Sequence, residues 1–161
     1  MKPIINAGIM LGVAVGIWMF VNGAAGLYKN PGTGWVFPLG ATVIEIVVIV
    51  WGLKKTAQLG RQYGGQIVAG LLIALIGALI IIPFSLAWSA VFPDAREIGL
   101  AMQADKFADS GMEEAQIEQS LAVMEKLSTP LVSAIMGSVM CILTGLVTAL
   151  IAGFFIRHKE A

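Results

Sequence analysis

Glu45 is the residue whose type and place most suggest chemistry. It stands in Val43–Ile44–Glu45–Ile46–Val47–Val48–Ile49–Val50, near the middle of an apolar run. At a membrane centre a charged residue costs on the order of +2.5–3.5 kcal/mol to insert, while each Val, Ile, Leu or Phe favours insertion by about 0.3–0.6. The run therefore still inserts, and the acid has to be accommodated. Helical spacing puts Pro38, Ala41, Thr42, Val48, Ile49 and Gly52 on its face. Several of these are small or weakly polar, so the face is expected to point into the protein. No apolar run holds a Lys, Arg or His. Without a cation, desolvation favours the neutral carboxyl.

Two partners at matching depth are expected for a protonated Glu45. One is the Thr144 hydroxyl. The other is the Leu79 carbonyl, whose helical donor is removed by Pro83 four residues on. Two roles stay open. A neutral Glu45 would be a hydrogen-bonding link between helices. Alternatively it would be a proton or cation site, because intramembrane acids are functional candidates by default.

Other chemistry is thinly represented. There is no GxSxG, Walker A, HExxH or CxxC pattern, and the one histidine, His158, lies among basic residues near the C-terminus. Catalysis needs a base and an orienting partner, and the sequence offers no such pair. The expectation is a protein that is not an enzyme, with no cofactor, no metal and no nucleic-acid partner. Cys141 is the only cysteine, so it cannot form an intrachain disulfide.

The elements that would position Glu45 are four apolar runs, 4–28, 35–53, 66–92 and 131–156. Each is long enough to cross a bilayer, which takes about 20 residues at 1.5 Å per residue. Hydrophobic residues make up 58% of the 161 and charged residues 12%, against about 25% charged in ordinary soluble domains. Mean hydropathy is +0.87. The first run is longer than a signal-peptide core.

Small residues recur at four-residue spacing: Gly8, Gly12 and Gly16 in the first run, Gly70, Ala74 and Ala78 in the third, and Ser133, Gly137, Cys141, Gly145, Ala149 and Gly153 in the fourth. Such stripes let helix backbones approach closely where lipid removes the hydrophobic drive. They are read as helix-packing faces, with the partner either in the same chain or in another copy. Tyr28, Trp35 and Trp88 mark one membrane boundary, and Trp51 and Tyr63 the other. Trp18 lies deeper and is read as packed.

The net charge is zero, but its distribution is uneven. Asp94, Glu97, Asp105, Asp109, Glu113, Glu114, Glu118 and Glu125 all fall in the polar stretch 94–129. Lys2, Lys54, Lys55, Arg61, Arg157 and Lys159 fall at the termini or in the 54–65 link. Lys and Arg favour the cytoplasmic side, so both termini are expected there and 94–129 outside. Within that stretch Ile98, Met102 and Phe107 predict a helix from about 95 to 108. Ser110 with Glu113 reads as a capping box, and Ile117, Leu121, Met124 and Ser128 share one face of a second helix. Pro130 is read as a first-turn proline of the fourth run, and the glycines of the 54–65 link as a surface turn.

Several short features recur in a known order: Lys2–Pro3 before Gly8 and Gly12, Gly52–Leu53–Lys54–Lys55, Gly64–Gly65, Phe92–Pro93–Asp94, Gly111–Met112–Glu113–Glu114–Ala115–Gln116–Ile117–Glu118, Thr129–Pro130, and a basic tail. In that order the chain resembles the bacterial four-helix membrane proteins catalogued as domain of unknown function 4199. The resemblance implies four spans and a bacterial inner membrane, and it implies no activity.

The sequence thus predicts one all-α integral membrane domain over 1–161. It is a bundle of four transmembrane helices, with an extracytoplasmic helical hairpin over 94–129 between the third and fourth. Its partners are expected to be the lipid bilayer and either a second copy of itself or a larger membrane complex. The leading functional expectation is a structural or assembly component. The alternative is a small transporter or channel using Glu45 as a proton or cation site.

Overall fold

The computed structural model describes residues 1–156. The expectations for Arg157, His158 and Lys159 fall outside the described residues. Among the described residues there are six α-helices: α1 (Lys2–Ala24), α2 (Val36–Ala57), α3 (Tyr63–Val91), α4 (Ala95–Asp109), α5 (Glu114–Leu127) and α6 (Pro130–Ile156). Four of them, α1, α2, α3 and α6, are long and apolar enough to cross a membrane. α3 packs on α1, α6 and α2, while α2 also contacts α1 and α6.

The contact register gives the helix directions. Gly8, Gly12 and Gly16 of α1 meet Ile76, Ile80 and Phe84 of α3 in the same order, so these helices run parallel. Gly145 meets Ala74, Gly153 meets Gln66, and Ala149 meets Gly70, so α6 runs antiparallel to α3. Gly40 lies under Trp18 and Gly52 beside Ala7, so α2 runs antiparallel to α1. One end of the four helices therefore carries Trp88 and Tyr28, and the other carries Thr56 and Gln66.

The small-residue stripes are used inside this chain. A Cβ on Gly8 would stand 2.6 Å from the Cβ of Ile76, and one on Gly12 2.5 Å from the Cβ of Ile80. Only hydrogen fits there, and the close approach brings many atom pairs into dispersion contact. Around these contacts Ile4, Leu11, Ile49, Leu53 and Ile73 are fully buried. The outward surfaces stay apolar, with Val47, Leu79 and Ile151 each 61% exposed. Such a surface suits lipid and would be an aggregation liability in water.

The α6 stripe packs within the chain only in part. Cys141, Gly145 and Gly153 of α6 are buried, but Gly137 is exposed, with nothing within 4 Å of an added Cβ. The buried line above Cys141 runs through Ser138 and Ala134 instead. The reason is geometric. A step of four residues turns the helix by about 400°, so a four-residue stripe drifts about 40° per step. Two steps beyond Gly145 the stripe has rotated off α3.

Several boundaries also differ from the sequence reading. α1 stops at Ala24 rather than running to Tyr28, because Gly26 takes a left-handed φ of 66°. α2 continues through Lys54–Lys55 to Ala57, and α3 takes Gly64 and Gly65 into its first turn, so the surface turn shrinks to 58–62 around Gly60. Ser110 forms no capping box. It closes α4, its hydroxyl donating to the Phe107 carbonyl at 2.7 Å, and α5 starts from an extended Glu113. α4 and α5 contact each other, with Arg96 Nη2 donating to the Glu125 carbonyl at 2.7 Å. Their predicted apolar faces, Ile98, Met102 and Phe107 and Ile117, Leu121, Met124 and Ser128, are half-buried. Pro130 opens α6 as expected, and the Thr129 hydroxyl accepts from the Val132 N–H at 3.4 Å.

Candidate functional site: a cavity ending on Glu45

A cavity of about 620 Å³ occupies the Trp88 half of the molecule. Its mouth is formed by Leu27, Tyr28, Thr33 and Gly34 from the α1–α2 link and by Ala95 and Gly99 of α4. Val15, Met19, Asn22 and Gly23 of α1 and Ile81, Ser85 and Trp88 of α3 line one side. Phe37, Pro38, Ala41 and Thr42 of α2 and Ser133, Ala134, Gly137 and Met140 of α6 line the other. Pro38, Ser133 and Gly137 are exposed, so the cavity also opens sideways between α2 and α6. Its inner end is Glu45, Cys141 and Thr144.

Glu45 is only 6% exposed. Its carboxyl lies against the Cys141 thiol and the Gly145 backbone, with Oε1 3.2 Å from where a Gly145 Cβ would be. That closeness is possible because residue 145 is a glycine. Yet Oε1 is buried with no hydrogen-bond partner. Among the described residues two other buried side-chain atoms share this state, Asn22 Oδ1 and Trp88 Nε1. All three residues line the same cavity. Asn22 is held by its amide, which donates from Nδ2 to the Trp18 carbonyl at 2.8 Å, while its oxygen is left without a partner. The Trp88 ring is held by edge contacts with Tyr28, centroids 5.7 Å apart, and stands over Gly23.

Beneath Glu45 the protein is closed. Ile49 and Ala74 fill the space around Gly145. Further down, the Thr56 hydroxyl bonds Gln66 Oε1 at 2.6 Å and the Leu53 carbonyl at 2.9 Å, and Gln66 is fully buried. At the mouth, Lys29 pairs with Asp94 at 3.0 Å, and the Tyr28 hydroxyl donates to Asp94 Oδ1 at 3.0 Å. The Lys29 hydrogen bond, with help from Tyr28, holds the Asp94 carboxyl below its usual 3.8, and the same bond raises Lys29 above 10.5. This pair ties the α1–α2 link to the start of α4.

Of the four residues expected to form the intramembrane polar site, the structure brings together Glu45 and Thr144. Leu79 and Pro83 are not part of it. The Leu79 side chain is 61% exposed and Pro83 is exposed, so both look away from the cavity. The face of α3 toward Glu45 carries Ala74, Ala78 and Ile81, and the Ala78 carbonyl is bonded by the Ser138 hydroxyl at 3.3 Å. Matching depth alone could not tell which face of α3 would turn inward. Asn22 went unnoticed in the sequence, although an amide in the last turn of an apolar run is itself a signal. Trp88 was read only as a boundary aromatic.

No curated protein and no solved structure matches this chain. The sequence pattern of the family described as "Protein of unknown function (DUF4199)" matches residues 6–158. That is nearly the whole length, so the chain belongs to this family.

Proposed function

We propose that this protein is a small transporter or channel of the bacterial inner membrane, with Glu45 as its proton or cation site. The observation that carries the reading is that Glu45, Asn22 and Trp88, each with a buried polar atom left without a partner, all line one cavity. Buried polar groups are nearly always hydrogen-bonded, and leaving one unpaired costs about 1–3 kcal/mol. Such groups grouped around a shared space fit a site that something else completes. The assembly reading rested on the small-residue stripes. Those of α1, and the inner part of that of α6, pack within the chain, which leaves less of them for a second copy.

In this reading α1, α2, α3 and α6 form a four-helix transmembrane bundle in a single integral domain. The Lys2, Lys54 and Lys55 side faces the cytoplasm, and α4 and α5 form an extracytoplasmic hairpin over the cavity mouth. The bilayer is the surrounding partner, no catalysis is involved, and oligomerisation is not required for the site. The test is flux. Vesicles with the reconstituted protein and a trapped pH dye should show proton movement under an imposed cation gradient. Glu45→Gln keeps the shape and should abolish it. Equal flux from Glu45→Gln and wild type would return the protein to the assembly reading.

A further inference from the structure

We propose that one acyl chain of the surrounding bilayer enters the cavity through the side opening between α2 and α6. It lies along the apolar walls, with the lipid headgroup left at the membrane boundary. The inference stands apart from proton or cation movement at Glu45.

The cavity has the depth of one leaflet. Tyr28 and Trp88 line its mouth end, and amphipathic rings of this kind suit the headgroup level. The exposed Lys29–Asp94 pair lies at the same end. From there the lining runs inward to Glu45 and Thr144. At about 1.5 Å per residue it extends about 12 Å along α2 from Phe37 and about 16 Å along α6 from Ser133. Half of a hydrocarbon core is about 15 Å. A chain of the neighbouring lipid therefore runs beside the opening over the same depth. Pro38, Ser133, Gly137 and Met140 line the cavity and are exposed at that opening. Among the described residues nothing lies within 4 Å of a Cβ on Gly137, so the opening is uncovered there.

The walls fit a chain better than they fit other occupants. Between the two ends the lining includes Val15, Met19, Ala41, Ile81, Ala134 and Met140, and methionines adapt to irregular apolar shapes. Glu45 and Asn22 are 6% and 5% exposed, so they offer an occupant little polar surface. The volume of about 620 Å³ lies within the range of small-molecule sites, about 300–1,000 Å³. That suits one chain rather than a whole phospholipid. Among the described residues the lining has no Lys, Arg or His, so a phosphate finds no cation inside and the headgroup stays at the boundary. A partner's helix is about 10–12 Å across and would need on the order of 1,000 Å³ over this depth. Water would leave the apolar walls wetted, which is unfavourable. Lipid outside is as apolar as the walls, so the chain exchanges with the bilayer. The cavity is open to its mouth whenever the chain is out.

The experiment is photo-crosslinking of the full chain in phosphatidylcholine nanodiscs. A small share of the lipid carries a diazirine in the inner part of one chain, and crosslinks are mapped by peptide mass spectrometry. Val147 and Ile151, 53% and 61% exposed, report the surrounding lipid. Ile81 is 5% exposed and Met19 half-buried, and both line the cavity, so they report a chain inside it. Wild type should crosslink at all four. Gly137→Phe obstructs the side opening, and Ala41→Phe narrows the cavity from α2. Each should remove the Ile81 and Met19 crosslinks and leave those at Val147 and Ile151 unchanged, which also shows that the helices remain folded in the bilayer. Wild type that crosslinks at Val147 and Ile151 but not at Ile81 or Met19 overturns the inference. Crosslinks at Ile81 that survive both substitutions overturn the side entry. Labelling of Ile81 by a water-soluble diazirine, but not by the lipid, makes the cavity a wet vestibule and overturns it too. None of these outcomes depends on flux through Glu45.

Discussion

The two halves of this molecule bury polar side chains in opposite ways. In the Thr56 half, Thr56 and Gln66 are buried at 1% and 0% exposure, and each is bonded to the other. Glycines and alanines bring α3 and α6 together there, and an added Cβ on Gly70 or Gly145 would collide with a neighbour. In the Trp88 half, Glu45, Asn22 and Trp88 line the cavity, and each keeps one buried polar atom without a partner. Thr56 and Gln66 are thus paired with each other, while the three residues that line the cavity each keep one buried atom unpaired. In the function proposed above, the Trp88 half would hold the site and the Thr56 half would support it.

The sharpest way to break this comparison uses two glycines of one predicted stripe. Gly145→Leu would drive a side chain into Ala74, Glu45 and Ile49. It should cost about 3 kcal/mol or more, or prevent folding. Gly137→Leu meets nothing within 4 Å and should be tolerated. Thermal unfolding in detergent, followed by size-exclusion chromatography, reads both. Equal losses would mean that the two halves are packed alike.

Accessibility tests the cavity directly. In a Cys141→Ala background, Thr144→Cys faces the cavity and should react quickly with a small membrane-impermeant thiol reagent. Thr148→Cys, one turn deeper and 8% exposed in the wild-type side chain, should react slowly. Ser110→Cys should label from outside intact cells, and Gln58→Cys should not. Labelling of Gln58→Cys instead would invert the proposed orientation, and rapid labelling of Thr148→Cys would extend the open half past Glu45.

Stability of the polar groups gives a smaller but more discriminating effect. Thr56→Val removes the donor to Gln66 Oε1 and should cost roughly 1–3 kcal/mol, because the partner stays buried and unpaired. Glu45→Leu should cost less than Thr56→Val, since Oε1 has no partner and only the contacts of the carboxyl with the Cys141 thiol and the Gly145 backbone are lost. A reading from sequence that gives Glu45 a carbonyl or hydroxyl partner expects a loss of equal size. Chemical unfolding of the two variants side by side decides it. A Glu45→Leu loss as large as that of Thr56→Val would mean that the Trp88 half is satisfied after all.

These signs show where sequence reasoning stops. The four long helices were legible because apolar length is a one-dimensional signal. The Gly8–Gly12–Gly16 stripe was legible because α1 and α3 stay in register over its whole length. Gly137 leaves the seam within the chain because a four-residue repeat drifts around the helix. Glu45 could be picked out by type and depth. Its surroundings could not, because they depend on helix rotation, and Leu79 shows how a residue at the right height can sit on the wrong face. The helix ends failed for local reasons. Ser110 bonds backward to Phe107 while Gly111 takes a φ of 77°, so the chain turns there before it can cap forward.

The smallest effect concerns the mouth, where Lys29, Asp94 and Tyr28 tie the α1–α2 link to the start of α4. Asp94 is held below its usual 3.8, so its contribution is present above that pH and is lost as pH falls through the lowered value. Lys29 is held above 10.5, so its contribution is present below that pH and is lost as pH rises through the raised value. Both groups are solvent-exposed and screened by salt, so the global melting temperature should hardly move between these limits. The local effect should be visible nonetheless. Asp94→Asn at neutral pH should speed amide hydrogen exchange over 27–34 and around 95, and leave exchange around Thr56 and Gln66 unchanged. Protection that changes equally at both ends would mean that the mouth is mechanically continuous with the closed half. Unchanged exchange at the mouth would mean that the aromatic contacts of Tyr28 with Trp88 and Phe92 hold the link without the ion pair.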